Sequence, residues 1–287
     1  MFHPARTLAG FVIACATSVL VAPASAQRLS EVDLESQFGH AVQDAAQLCA
    51  LIEAASQTIA GVDAQQGHGI AERLHPFCQR AFFSPEILVG MEFLGLSMHT
   101  VRSGEIPGRI AKRYSISAGL LPLLNDGYDE RKLQVGQRLK VLDARGLTLI
   151  ADTARFRLAA WTRRGEPGHE RWLLLAYWPI GTGAEATATP LGRTTIVERA
   201  LNPSWTDPVT HAVYPHGDPS NILGGYWIRL EERGLGKPGI GMHGYTKDNP
   251  SQWLGKRGSN GCLRLTQHDV TQVFHLALEG TPVTIVE

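Results

Sequence analysis

A cysteine and a histidine near the end of the 287-residue chain have the types and spacing of a nucleophile and its base. Cys262 lies in the sequence S-N-G-C-L-R, and His243 lies upstream in G-I-G-M-H-G. A thiol attacks a carbonyl only as the thiolate, and a free cysteine with a pKa of ~8.5 is mostly protonated at neutral pH. A nearby imidazole can take that proton and hold the thiolate as an ion pair. The pair predicts acyl transfer; the alternative is that Cys262 is an inert buried thiol.

The residues around Cys262 fit such a reaction. Gly261 leaves space beside the thiol for a substrate carbonyl. The backbone N–H groups of Gly261 and Cys262 are candidates for an oxyanion hole. A helix that starts at Thr266 would place its positive end near Cys262, which also favours the thiolate.

Strands must position this pair, because strand patterns dominate from Leu147 to the end. Alternating or apolar runs predict strands over residues 155–162, 171–177, 194–197 and 282–286. One helix interrupts them: Thr266 and Asp269 form a capping pattern before an apolar stripe. The sequence predicts a mainly-β domain over residues 147–287.

Two smaller regions precede this domain, so the chain is predicted to be a multidomain α+β protein. Residues 97–144 alternate as a strand, two short helices and a second strand. Residues 27–96 have helical periodicity, with a break at 61–69 and a second helix over 70–83.

The first 26 residues have the pattern of a secretory signal peptide. Arg6 precedes an apolar run, and Ala24-Ser25-Ala26 predicts cleavage before Gln27. The alternative is a lipoprotein signal, because Val12-Ile13-Ala14-Cys15 resembles a lipobox. No other apolar stretch is long enough to suggest a transmembrane span. The 27 basic and 27 acidic residues leave no surplus of positive charge, which argues against a nucleic-acid partner.

Export affects how the cysteines are interpreted. Without Cys15, the exported chain keeps three cysteines, and an oxidising compartment favours pairing two of them. Cys49 and Cys78 lie in the same helical region and are the predicted disulfide; the alternative is two free core thiols. With that pair formed, Cys262 is left as an odd thiol that needs an explanation.

The segments around the pair resemble the L,D-transpeptidase (YkuD-type) catalytic domain. His243 is followed, after fifteen residues of which Gly244 is the first, by Ser259-Asn260-Gly261-Cys262-Leu263-Arg264. Upstream, T-P-L-G at 189–192 and N-P-S-W at 202–205 resemble further segments of the family. Downstream, G-T-P-V at 280–283 resembles its closing strand. The resemblance implies that Cys262 is the nucleophile and His243 the base. It also implies that the Gly244 carbonyl orients the imidazole and that Arg264 shapes the site.

Residues 97–144 resemble a LysM module, a βααβ unit that binds N-acetylglucosamine-containing glycans such as peptidoglycan. The matching positions are Val101, Gly104, Ile110, Ala111, Tyr114, Leu120, Asn125, Leu133, Gly136, Gln137 and Leu139. The family's usual G-D-T/S-L is replaced by Gly104-Glu105-Ile106-Pro107, in the loop expected to contact sugar.

The resemblance implies that the protein acts on peptidoglycan, in the periplasm or cell wall. Cys262 would displace D-alanine from a tetrapeptide stem and form a thioester. A stem amine, a lysine of an envelope protein or water would then resolve it. The predicted substrate-binding residues are Ser259, Asn260, Gly261, Arg264, Trp205 and Tyr226, and no cofactor or metal is expected. Asn260 replaces the family's usual histidine, which leaves open a non-catalytic, peptidoglycan-binding protein.

Overall fold

The computed structural model describes Phe38 and residues 45–88, 90–165 and 170–287. The predicted signal peptide, residues 1–26, lies outside these ranges. The chain divides into two compact units, one comprising residues up to Leu147 together with 160–177, and the other comprising residues 148–159 and 178–287. Within the described residues, no helix combines the length and apolarity needed to cross a membrane.

The first unit begins with two helices, α1 (Ala45–Gly61) and α2 (Ala64–Phe82). The predicted break at 61–69 is confirmed in position but is shorter than predicted, because α1 ends at Gly61 and α2 already starts at Ala64 and continues through Gly67, Gly69 and Pro76. The reason is a cap: the Asp63 carboxylate accepts hydrogen bonds from the N–H groups of Gln65 and Gln66.

Cys49 and Cys78 are both free thiols, so the structure contradicts the predicted disulfide. Cys78 is fully buried, and its sulfur donates to the carbonyl of Leu174 at 3.3 Å. Burial raises the pKa of the Cys78 thiol and raises that of Cys49 to about 11. The helical region therefore contains two protonated core thiols rather than a covalent staple.

The predicted βααβ module follows in the same unit. Strands β1 (Leu96–Thr100) and β2 (Arg138–Leu142) pair antiparallel, and helices α3 (Pro107–Arg113) and α4 (Leu121–Leu124) lie between them in sequence. Lys140 of β2 is only 1% exposed. Its ammonium donates to the carbonyls of Ala81, Ser84 and Glu86, at 2.9, 2.9 and 2.5 Å, in the last turn of α2 and just past its end.

The remaining strands are short and confirm the mainly-β prediction. They are β3 (Thr148–Asp152), β4 (Arg157–Arg164), β5 (Arg171–Pro179), β6 (Thr182–Gly183), β7 (Gly192–Leu201), β8 (Trp205–Thr206), β9 (Val213–Tyr214), β10 (Tyr226–Leu230), β11 (Gly241–Gly244), β12 (Arg257–Ser259), β13 (Leu263–Leu265) and β14 (Pro282–Val286). The main sheet has the order β13-β11-β10-β7-β14-β3-β4-β5.

Two helices complete the second unit, α5 (Pro250–Trp253) and α6 (Gln267–Leu276). The predicted cap is confirmed, since the Thr266 hydroxyl accepts from the N–H of Asp269. The buried side chains of α6 include Val270, Val273 and Phe274, so the helix packs its apolar stripe inward. This anchors the chain immediately after β13, next to the Cys262 turn.

Candidate active site

Two parallel neighbouring strands bring the cysteine and histidine segments together. In the pairing of β11 with β13, His243 lies opposite Arg264 and Met242 opposite Leu263. Cys262 directly precedes β13, so the same register continues to Gly241, two residues before His243. Because side chains two residues apart in a strand share a face, the thiol and the imidazole are directed to the same side of the sheet.

The imidazole of His243 is held in one tautomer. Its ring is buried, and Nδ1 lies 2.5 Å from the carbonyl oxygen of Gly244. A carbonyl only accepts hydrogen bonds, so Nδ1 carries the hydrogen and Nε2 is the basic nitrogen. Burial, with a smaller contribution from the positive charge of Arg264, lowers the pKa of His243 to about 4 against the opposing effect of the Gly244 carbonyl.

The thiol of Cys262 is half-buried and protonated in this state. Its sulfur donates to the carbonyl of Gly239 at 3.5 Å and makes no hydrogen bond with His243. Burial raises the pKa of the Cys262 thiol, while the Gly241 N–H and the charges of Arg264 and Lys237 lower it. The expected resting ion pair is therefore replaced by a neutral thiol and a neutral imidazole.

Ser259 fixes the turn that carries the thiol. Its buried hydroxyl donates to the carbonyl of Cys262 at 2.6 Å and accepts from the N–H of Gly261 at 3.1 Å. The Gly261 N–H is thus already bonded, which argues against its predicted place in an oxyanion hole. The N–H of Cys262, for which the described residues supply no acceptor, remains a candidate. Asn260 is exposed, and its own carbonyl accepts from Lys237.

A glutamine that the sequence did not identify packs behind the histidine. A Cβ atom on Gly244 would lie 1.9 Å from Nε2 of Gln267, and one on Gly224 would lie 2.1 Å from it. Gln267 accepts from the N–H of Gly225 at 3.3 Å, and its Nε2 is buried with no partner among the described residues. A side chain at position 244 would therefore require either the Gln267 amide or the backbone that orients the imidazole to move.

Arg264 contributes charge from the neighbouring strand. Its guanidinium lies 3.9 Å from the ring centroid of Tyr245, in cation–π geometry. The Tyr245 hydroxyl donates to Asp248 at 2.8 Å, which holds the ring in place. This arrangement keeps a positive charge beside both His243 and Cys262 without a direct carboxylate partner for Arg264 among the described residues.

The aromatic residue nearest the pair is Trp227, whereas the sequence predicted Tyr226. Trp227 lies opposite His243 in the register, with ring centroids 5.9 Å apart. Tyr226 is on the opposite face, where its ring packs against Phe274 at 4.8 Å, so its predicted substrate contact is corrected. Trp205 stacks on Tyr214 at 5.5 Å in the β8–β9 hairpin, and its substrate role stays a prediction.

No group of three or more histidine, cysteine or acidic side chains with metal-binding geometry occurs in the parts of the chain that the structure describes. The site described above therefore consists of a thiol, an imidazole, a guanidinium and backbone amides.

Comparison with known proteins identifies both domains. The L,D-transpeptidase catalytic domain matches residues 147–285, and the LysM domain matches residues 99–142. A Bacillus licheniformis protein assigned as the L,D-transpeptidase YkuD is 30% identical over 66% of this chain and 98% of its own length. The Escherichia coli protein assigned as the L,D-transpeptidase YcfS is 29% identical over 62% of this chain; the chain spans 57% of that relative.

Solved structures with similar folds are more distant. An L,D-transpeptidase from Mycobacterium smegmatis matches 53% of this chain and 64% of its own, with 15% identity and a TM-score of 0.37. One from Enterococcus faecium matches 49% of each chain, with 17% identity and a TM-score of 0.36. These similarities are too low to carry an argument about the site. The two domain matches and the full-length Bacillus licheniformis relative establish the family: this chain belongs to the L,D-transpeptidases of the YkuD type, with a LysM domain ahead of the catalytic domain.

Proposed function

We propose that the protein is a cysteine-dependent L,D-transpeptidase that remodels peptidoglycan in the periplasm or cell wall. The observation that carries this proposal is the common face of β11 and β13, which presents a thiol, an oriented imidazole and a guanidinium together. A LysM domain in the same chain supports a glycan-containing polymer as the substrate.

In the first step, Cys262 attacks the amide between the third residue of a tetrapeptide stem and its terminal D-alanine. Because Nδ1 of His243 already donates to Gly244, Nε2 is the nitrogen that accepts the thiol proton. The imidazolium then protonates the departing amine, so D-alanine leaves and a thioester remains on Cys262. The Cys262 N–H is the proposed donor to the developing oxyanion.

In the second step, an amine attacks the thioester. His243 takes a proton from that amine and passes it to the departing Cys262 sulfur, so a new amide forms and the thiol is regenerated. Water reacts in the same way and leaves a carboxylic acid in place of the amide. A stem amine gives a 3–3 cross-link, a lysine gives a protein bound to the wall, and water gives a tripeptide.

The neutral resting pair suits this sequence of steps. The pKa of Cys262 is raised and that of His243 is lowered to about 4, so proton transfer is coupled to attack rather than complete beforehand. The exposed side chain of Asn260 makes no hydrogen bond with either member of the pair, so the departure from the family's usual histidine supports neither loss nor gain of activity.

The test is to incubate the purified protein with a tetrapeptide stem or a carbapenem and to measure its intact mass. An adduct on wild-type protein that is lost in Cys262→Ala supports the proposal, and muropeptide analysis then separates cross-links, protein-linked peptides and tripeptides. A wild-type protein that binds sacculi yet forms no adduct and releases no D-alanine would indicate the non-catalytic alternative.

A further inference from the structure

An open cleft of about 630 Å³ lies along the end of β10 and the loop between β10 and β11. It is lined by Arg229, Glu231, Glu232, Arg233, Gly236, Lys237 and Pro238. Two contacts join this loop to the turn. The Lys237 ammonium donates to the carbonyl of Asn260 at 3.3 Å, and the carbonyl of Gly239 accepts from the Cys262 sulfur. These contacts place the Lys237 ammonium, which lines the cleft, beside the backbone of the turn that carries the proposed nucleophile.

Lys237 brings a positive charge to this junction that is not neutralised within the protein. In the described part of the chain, no carboxylate lies within ion-pair distance of its ammonium, whereas the neighbouring Arg229 is bonded to Glu198 at 2.6 Å. The Lys237 ammonium lies 2.9 Å from the position that a Cβ atom of Gly261 would occupy. Glycine at position 261 thus lets the cation approach the backbone of the turn that carries Cys262.

The chemistry of the reaction places a carboxylate near this position twice. The amine that leaves in the first step is that of D-alanine, which carries its carboxylate on the carbon next to the nitrogen. Where the third stem residue is a diaminodicarboxylic acid, the amine that forms a 3–3 cross-link also has a carboxylate on the adjacent carbon. Neither water nor the side-chain amine of a protein lysine has one.

A cation beside the acyl carbon can therefore distinguish these amines. A charge-assisted hydrogen bond to a carboxylate is about twice as strong as a neutral one, so a single lysine gives measurable selectivity. Glu231 and Glu232 line the same cleft, which consequently presents both signs of charge, as the zwitterionic end of an amino acid requires.

We propose that Lys237 binds the carboxylate adjacent to the amine that leaves or attacks, and so selects α-amino carboxylates over water and protein lysines as acyl acceptors. This inference rests on the proposed function and assigns one ionic subsite to both half-reactions. It assigns Lys237 to the cleft that holds the departing and the entering amine.

The test compares substrates that differ only in that carboxylate. Acylation is followed as release of D-alanine from a tetrapeptide, or of D-alaninamide from its C-terminal amide. Thioester aminolysis is followed with D-alanine or D-alaninamide as the acceptor. Each is measured for the full-length wild type, Lys237→Met, Lys237→Arg and the control Lys247→Met, which removes an equal charge from an exposed loop position.

Lys237→Met is expected to lower kcat/KM for the free carboxylates by about 10- to 100-fold, the value of one hydrogen bond to a charged group. The same variant should change the rates with the amides by only a few-fold, and Lys237→Arg should retain most of the wild-type preference. A loss confined to acylation identifies the leaving group as the ligand, and a loss confined to aminolysis identifies the acceptor.

An equal loss with carboxylate and amide substrates would overturn the inference, because it would indicate an effect on the thiol alone. Wild-type turnover without any preference for the carboxylate would also overturn it and leave the proposed function intact. If the wild-type protein releases no D-alanine and forms no adduct at Cys262, the proposed function fails as well.

Discussion

Cys78 in the helical region and Cys262 in the catalytic domain are both thiols whose pKa is raised by burial, yet their surroundings differ. Burial is the one cause that acts on Cys78, which donates to the carbonyl of Leu174 among apolar side chains. At Cys262, a backbone N–H and two cations oppose the effect of burial, and the thiol is half-exposed. The comparison teaches that burial alone makes a thiol inert, whereas donors and cations around a partly open thiol prepare it to become an anion.

The largest expected difference between the two thiols is in alkylation. In the folded protein at pH 8, iodoacetamide should modify Cys262 at least about 1,000-fold faster than Cys78, because a fully buried, protonated thiol reacts only after local unfolding. Peptide mass spectrometry after timed quenching measures both rates. In urea the rates should converge, and comparable modification of Cys78 in the folded state would contradict the comparison.

A smaller effect is expected from Gly244→Ala, which acts on the catalytic site alone. The new Cβ would collide with Gln267 and displace the carbonyl that orients His243, so acylation of Cys262 should fall by about 100-fold. Gln267→Ala removes the obstructing amide, and the double variant should recover at least about tenfold of the lost rate.

Gly258→Ala is the matched control, since a Cβ there meets no atom within 4 Å. Protection of Cys78 from alkylation should be the same in all these variants. If the double variant is no faster than Gly244→Ala, contact with Gln267 is not what makes glycine necessary at position 244.

The smallest effect concerns stability in acid. The folded-state pKa of His243 is about 4 and its ordinary value is 6.5, so the unfolded chain binds the proton first as the pH falls. The stability that neutral His243 provides is therefore present above pH 6.5 and is lost between pH 6.5 and 4, by up to about 3 kcal/mol. Urea unfolding at pH 7.5, 6, 5 and 4.5 measures this loss.

In His243→Gln, the free energy of unfolding should fall less steeply than in the wild type as the pH is lowered below 6.5. His275, whose pKa burial also lowers to about 4, contributes in the same pH range, so His275→Gln is needed to separate the two shares. Equal pH dependence in wild type and His243→Gln would mean that the imidazole is not held neutral beside Cys262.

Local signals predicted much of the catalytic domain. The Thr266 cap and the last strand follow from residues that are neighbours in sequence, and the segment around Cys262 identified the family. The sequence could not predict which face of a strand each side chain occupies. Tyr226 and Trp227 are adjacent aromatic residues in β10, and only the pairing with β11 decides which ring faces His243. The contact of Gln267 with Gly244 joins separate elements and gives no sequence signal.

The helical region was predicted less well, because its cysteine chemistry also depends on contacts between residues that are distant in sequence. The prediction of a Cys49–Cys78 disulfide assumed that an oxidising compartment and proximity in sequence are enough to make two cysteines pair. In the structure, the Cys78 sulfur is bonded to a carbonyl instead. The break predicted over 61–69 is shortened to two residues because the Asp63 cap starts α2 at Ala64, where its carboxylate satisfies N–H groups that would otherwise lack acceptors.

The Lys140 ammonium limits how the glycan-binding module can be moved between proteins. Three carbonyls at and just after the end of helix α2 supply the acceptors of a buried cation that belongs to the second strand of the module. A fragment that begins at residue 97 would expose that ammonium and leave a cavity in place of its partners. In this chain, the LysM domain is thus not structurally independent. A fragment intended to fold by itself must include the preceding helices from about residue 45.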